Sequence, residues 1–261
     1  MEELCPVSAL SLEEGPRGDL RLALDLGACI ACGACLEEAP EALTWLSEPA
    51  LARREREALR SYLPVARGRN GLGRPGGPAA GGRPESGVDG TTAEELARGF
   101  QAASRRLFGR SAHLLQVDAG SCNACESELL ALGNPMYDLH RLGLFFTNSP
   151  RHADILVVTG AVTENMRDEL LEAYRAMPEP KLVVAAGACA VDGGIFRRAP
   201  HFVGPVDRLL PVDVYIPGCP PDPYTLLHGL LLAVGRAAEA AEAAAGRQPD
   251  RSTEALEVHR A

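Results

Sequence analysis

Three things are missing from this 261-residue sequence. There is no excess of positive charge: the formal net charge is −9, which removes the electrostatic footprint of a nucleic-acid binder or of a protein drawn to anionic lipid. There is no long unbroken apolar run. The best candidate, Tyr224 to Ala245, is interrupted by His228, Arg236, Glu239 and Glu242, so no direct membrane span is expected. No secretory segment is seen ahead of the cysteines, and spaced cysteines in a cytosolic chain read as metal ligands in preference to four disulfides. What is present is ordinary globular composition, 46% hydrophobic against 23% charged, enough for one to two domains with an ample core.

The eight cysteines fall into two sets. In VDAGSCNACESELL, residues 117–130, a short apolar run gives way to Gly120, Cys122 and Cys125 and then to a helical pattern. Cys189 in VVAAGACAVDGG and Cys219 in VYIPGCPP follow the same grammar: an apolar run, a glycine, and a cysteine within two positions. In an open parallel sheet the loops at the carboxyl ends of the strands converge on one crevice, so three strand ends carry four thiols to one place. Gly120, Gly187 and Gly218 let backbone N–H groups approach a cluster there. The alternatives are four buried unligated thiols or a zinc site.

The other set is Cys5, followed by Pro6, and the triplet Cys29, Cys32 and Cys35. A C-x2-C-x2-C-x3-C-P run marks bacterial-type ferredoxins, in which the fourth cysteine of each run ligates the cluster of the other run. Here the fourth position of the second run is Ala39, with Pro40 kept, and Cys5-Pro6 is all that is left of the first. Under the crossed rule Cys5 completes Cys29, Cys32 and Cys35, which resembles half of a two-cluster ferredoxin. A zinc site is again the alternative, although zinc modules favour paired claws over such a triplet.

Around these motifs, Leu20 to Leu24 and Leu43 to Leu46 read as short strands. Residues 51–62 read as a charged helix with Leu51, Leu59 and Tyr62 inward and its arginines solvated. Residues 68–90 contain nine glycines and three prolines and read as a flexible tether with a reach of roughly 25 Å, long enough to let the amino-terminal half dock in more than one place. Thr92 and Glu95 form a capping box for a helix with Leu96, Phe100, Ala103 and Leu107 on one face. Strands are then expected at 113–118, 144–147, 153–158, 181–186 and 213–216. Helices are expected at 124–132 and 165–177, and another opens at Asp222-Pro223. Buried strands alternating with helices argue a parallel α/β sheet.

GSCNACESE, NPMYDLHRLG, SPRHADILVVTGAVTENM, AMPEPKLVVAAGACAVDGG and PVDVYIPGCPP resemble the small electron-transfer subunit shared by membrane-bound group 4 nickel–iron hydrogenases, formate hydrogenlyases and respiratory complex I, over about residues 110–235. The resemblance implies a flavodoxin-like α/β fold with a 4Fe-4S cluster at the strand carboxyl ends, held by Cys122, Cys125, Cys189 and Cys219. A small ferredoxin-like α+β module would hold a second 4Fe-4S cluster on Cys5, Cys29, Cys32 and Cys35. Complex I relatives have a tandem Cys-Cys at the first ligand pair, so Cys122-x-x-Cys125 is the hydrogenase-type pattern. Leu142 departs from the family's usual Phe, and Ala190-Val191-Asp192 replaces a smaller stretch after the third ligand.

The expected layout is a half-ferredoxin at 1–63, a linker at 64–90, the subunit domain at 91–245 and a polar tail at 246–261. The implied function is an electron relay to the nickel–iron large subunit of a hydrogenase or formate hydrogenlyase. Service to quinone or another acceptor in a complex I-like module is the alternative, and a zinc-stabilised scaffold without redox function is the outsider. The implied partners are that large subunit and further iron–sulfur and membrane subunits, with the chain peripheral on the cytoplasmic face of the inner membrane. No catalytic residue is expected in this chain. Glu126 and Glu128 are candidates for proton relay or large-subunit contact, with a helix-dipole role as the bland reading. Arg141 and Arg151 suit subunit docking or cluster electrostatics. The six histidines show no ligand spacing.

Overall fold

The computed structural model describes residues 4–16, 18–40, 43, 45, 51–66, 74–75 and 93–245. β1 (Leu10–Glu14) and β2 (Leu20–Asp25) make a hairpin with Leu10 opposite Leu24. The short helix α1 (Ala34–Glu38) carries Cys35. β3 (Arg60–Ala66) returns antiparallel to β2, and β4 (Arg74–Pro75) pairs with the end of β3. This is the small α+β module that the first four cysteines imply.

The larger part begins with α2 (Ala93–Phe108) and continues through β5 (Ala112–Asp118), α3 (Ala124–Ala131), β6 (Leu144–Phe146), β7 (Ile155–Thr159), β8 (Val162–Thr163), α4 (Glu164–Ala176), β9 (Leu182–Ala186), α5 (Ala188–Asp192), β10 (Phe202–Gly204), β11 (Val214–Ile216) and α6 (Pro223–Ala245). Five strands lie in the order β11-β9-β7-β5-β6, every neighbouring pair parallel. Counted within this domain the order is 2-1-3-4-5, that of flavodoxin-like folds, whose ligand crevice opens beyond the carboxyl ends where the order reverses. Here the reversal falls between β5 and β7.

Both faces of this sheet are covered, which is why its strands read as continuous apolar runs. All five residues of β7 are buried. Ile155 and Val157 face a layer containing Phe100, Leu226, Leu230 and Val234, while Leu156 and Val158 face another containing Leu170, Met177, Val191 and Val206. α6 opens on Asp222, whose carboxylate accepts the Tyr224 N–H at 2.9 Å and the Thr225 N–H at 3.1 Å. On α2, Phe100 is buried and Ala103 and Leu107 pack on the same core. The capping residue Thr92 and most of residues 68–90 lie outside the described residues.

The stretch 51–62 is not a helix. Arg53 pairs in a two-bond antiparallel bridge with Tyr215 on the edge strand β11, its N–H donating to the Tyr215 carbonyl at 3.0 Å and its carbonyl accepting the Tyr215 N–H at 2.8 Å. One 3-10 turn, Glu57–Leu59, then leads into β3. Ala52 enters one core layer and Leu59 the other, each almost fully buried, whereas Tyr62 is exposed. Unpaired backbone on a sheet edge recruits extended chain, and here that tertiary contact overrides helical propensity. The amino-terminal module is therefore seated at one place on the larger domain. At 43–46, Leu43 and Trp45 belong to no strand, and the Leu43 N–H instead closes a turn on the Ala39 carbonyl at 3.1 Å; Thr44 and Leu46 lie outside the described residues.

Candidate cysteine-ligand centres

The loop after β5 is built by side chains that cap their own backbone. The Asp118 carboxylate accepts the Gly120 N–H at 2.8 Å and the Ser121 N–H at 2.7 Å, and the Ser121 hydroxyl accepts the Asn123 N–H at 3.0 Å. Asn123 takes the left-handed conformation at the helix start, φ 67°, so Cys122 precedes α3 exposed while Cys125 lies buried in its first turn. The loops after β9 and β11 are stitched together: the Gly187 N–H donates to the Ile216 carbonyl at 2.8 Å and the Ala188 N–H to the Gly218 carbonyl at 2.7 Å. Cys189, in α5, is half-buried, and Cys219 is exposed.

Gly187 is where these strand ends meet. Its φ of 91° suits no L side chain, and a Cβ placed there would stand 2.6 Å from the Cys125 sulfur. The four thiols also share one electrostatic neighbourhood. Burial pushes Cys125 up to about 12, with Glu126, Cys189, Cys219 and Cys122 adding to it. Burial pushes Cys189 up to about 11, reinforced by Cys219, Cys122 and Glu126. Cys219 is raised by burial and then by Cys122. Cys125, Cys189 and Cys219, held protonated in this way, become thiolates together only around compensating positive charge. That donor set fits a metal or cluster. Among the described residues, no three His, Cys, Asp or Glu side chains are drawn close enough to grip one ion.

In the amino-terminal module the Ala9 N–H donates to the Cys5 sulfur at 3.1 Å and the Ala31 N–H to the Cys29 sulfur at 3.4 Å. Burial raises the Cys29 thiol, the Ala31 N–H opposes this, and Cys35, Cys5 and Cys32 add to the rise. Cys5 and Cys29 also pack around Val7, Ala9 and Ala28. Cys5, Cys32 and Cys35 thus share the electrostatic neighbourhood of Cys29.

Glu126 is buried beside Cys125. One of its oxygens accepts the Thr159 hydroxyl from the end of β7, and among the described residues the other has no hydrogen-bond partner. Glu128 is half-buried, and Arg141 and Arg151 are exposed. Sequence reasoning missed an ion cluster between the two parts of the chain. Arg56 forks onto both oxygens of Asp25 at 2.8 and 2.9 Å and reaches Asp192 at 3.2 Å, and Arg197 pairs with the other Asp192 oxygen. Burial lowers the Arg197 pKa; Asp25 and Cys5 of the small module oppose that shift, while Arg56 and Arg198 add to it. No spacing marks these residues, and the arginine run around Arg56 reads from sequence as a solvated face.

A doubly wound parallel sheet with a thiol quartet at its carboxyl ends, joined to a small module with a second quartet, defines a thiol-rich α/β protein. The chain belongs to the family described as NADH ubiquinone oxidoreductase, 20 Kd subunit, which residues 122–233 match. It is 45% identical, over 51% of its length and 80% of the relative's, to a probable membrane-bound hydrogenase subunit of Pyrococcus furiosus. It is 44% identical to formate hydrogenlyase subunit 7 of Escherichia coli, over 55% of this chain but 56% of that one. It is 40% identical to an NADH-quinone oxidoreductase subunit of Carboxydothermus hydrogenoformans, over 51% of this chain and 89% of that protein.

Proposed function

We propose that this chain is an iron–sulfur electron-transfer subunit of a membrane-bound hydrogenase or complex I-like oxidoreductase complex. Cys122, Cys125, Cys189 and Cys219 would hold one 4Fe-4S cluster, and Cys5, Cys29, Cys32 and Cys35 a second. The observation that carries the reading is the pair of thiol quartets, each within one electrostatic neighbourhood. When bound, such clusters supply one-electron transfer. The chain's own residues do the rest. Burial around Cys125 excludes water, Gly187 lets one strand end close on its sulfur, and the Ala9 and Ala31 amides donate to sulfur, an interaction that helps set potential. With all eight cysteines assigned as ligands, bond-breaking is assigned to a partner subunit of nickel–iron or complex I type. The spacing Cys122-x-x-Cys125 favours the hydrogenase branch.

No described helix is long and apolar enough to cross a membrane, and we place the chain peripherally, on the cytoplasmic face, through its partners. Anaerobic reconstitution should give about eight iron and eight sulfide per chain. Cys5→Ser and Cys32→Ser should remove the same cluster by EPR and leave the Cys122 cluster intact. Iron near half that value, stoichiometric zinc, or a Cys5→Ser variant with both signals would overturn the assignment. A co-purifying large subunit with two Cys-x-x-Cys pairs decides for the hydrogenase branch against quinone service.

A further inference from the structure

The two quartets do not merely share a chain; the loop of one is fastened to the helix of the other. α5 carries Cys189 near its start and Val191 and Asp192 at its end. Val191 is almost fully buried, and a Cβ on Gly27 would stand 2.9 Å from its Cγ1 and 2.7 Å from the Arg56 guanidinium. Gly27 lies two residues before Cys29. From Cys29 to Cys189 the path is therefore two residues of one loop, one van der Waals contact and two residues of one helix.

The ion cluster surrounds that contact. Asp25 accepts the Gly27 N–H at 2.9 Å and the Ala28 N–H at 3.3 Å, shaping the loop that ends in Cys29. Arg56 grips the same carboxylate with two bonds and crosses to Asp192, which Arg197 holds from the other side. The Arg56, Asp25 and Asp192 side chains are only 17–20% exposed, where a bidentate charged fork is stronger and less screened than on open surface. Beneath it, Leu59 and Leu26 pack into the core layer that contains Val191.

Building on the two-cluster reading, we propose that Arg56 is a positioning residue: it locks the Gly27 loop against Val191, so that the amino-terminal and α/β cysteine quartets are held in one fixed register and electrons cross at that junction. A 4Fe-4S cluster on each quartet would supply one-electron transfer with no bond made or broken and no proton moved, and Arg56 would hold the register between the two quartets. A tether alone would leave that separation undefined.

The test uses the full chain, loaded anaerobically, with iron counted first. In wild type the two reduced centres should split each other's EPR signals. Arg56→Ala should weaken that splitting with the iron content unchanged. Amides 25–29 and 188–193 should lose hydrogen-exchange protection together. Arg56→Lys should restore only part of both, because a point charge cannot make the fork. Gly27→Leu, a wedge driven in from the other side, should reproduce the loss. If both clusters are present and splitting and protection stay at wild-type values in Arg56→Ala and Gly27→Leu, Arg56 locks nothing. A wild-type chain with iron for one cluster fails earlier and differently: it removes the two-cluster reading, and with it any register to hold.

Discussion

At the scale of single residues the α/β centre depends on Gly187 and on the environment of Cys125. Gly187 has φ 91° and ψ 152°, a region essentially restricted to glycine and costing other residues roughly 1–3 kcal/mol. Gly187→Ala should therefore lower stability by about that amount and displace the Cys125 sulfur, visible as a lower denaturant midpoint and slower cluster uptake. A variant with wild-type stability and uptake would show that the strand ends meet elsewhere. The metal-free chain should also weaken in alkali. Burial is the first cause that moves Cys125 from 9.0 to about 12, so the unfolded chain releases that proton near pH 9 while the folded chain keeps it. Between about pH 9 and 12 the unfolded state binds fewer protons, and rising pH favours it. The contribution is whole below pH 9 and lost toward 12, which urea midpoints of metal-free protein on either side of pH 9 will reveal. The cysteines were legible because glycine-then-cysteine after an apolar run is a local pattern. Asp25, Arg56 and Arg197 were not, because their meaning lies in who they meet across the fold.

At the scale of elements, the parallel strands and their helices were readable from alternation, length and caps, since each rests on short-range chemistry. Residues 51–62 were misread because their conformation is set by a partner: the free edge of β11 takes up Arg53 as a bridge, and Ala52 and Leu59 fill the two core layers. A surface helix and an inserted strip make opposite predictions here. Leu59→Ala should cost about 2–5 kcal/mol, the range for a fully buried leucine. Arg53→Pro, which removes the N–H that donates to Tyr215, should cost about 0.5–1.5 kcal/mol. Denaturant midpoints near wild type for Leu59→Ala would put this strip back on the surface.

At the scale of the whole molecule, the strip makes the small module and the α/β domain share cores. Cutting the backbone between residues 67 and 92 should leave two fragments that co-elute under native conditions and separate only in denaturant, because Ala52, Leu59 and Arg56 lie on the amino-terminal side of the cut while the core layers they enter and Asp192 lie on the other. Fragments that part in native buffer would show that the shared layers do not hold them. The same architecture constrains how the protein is made. Arg56 and Asp192 are 136 positions apart, and Arg53 waits for Tyr215 in the last strand of the sheet. During synthesis the amino-terminal piece emerges first, yet its docking surface is completed only when β11 has left the ribosome. For most of translation Ala52 and Leu59 have no core to enter, and loop closure over that span is slow. The order of translation thus sets how long Ala52 and Leu59 stay open to solvent, so the nascent chain carries two core side chains uncovered until its final strand arrives.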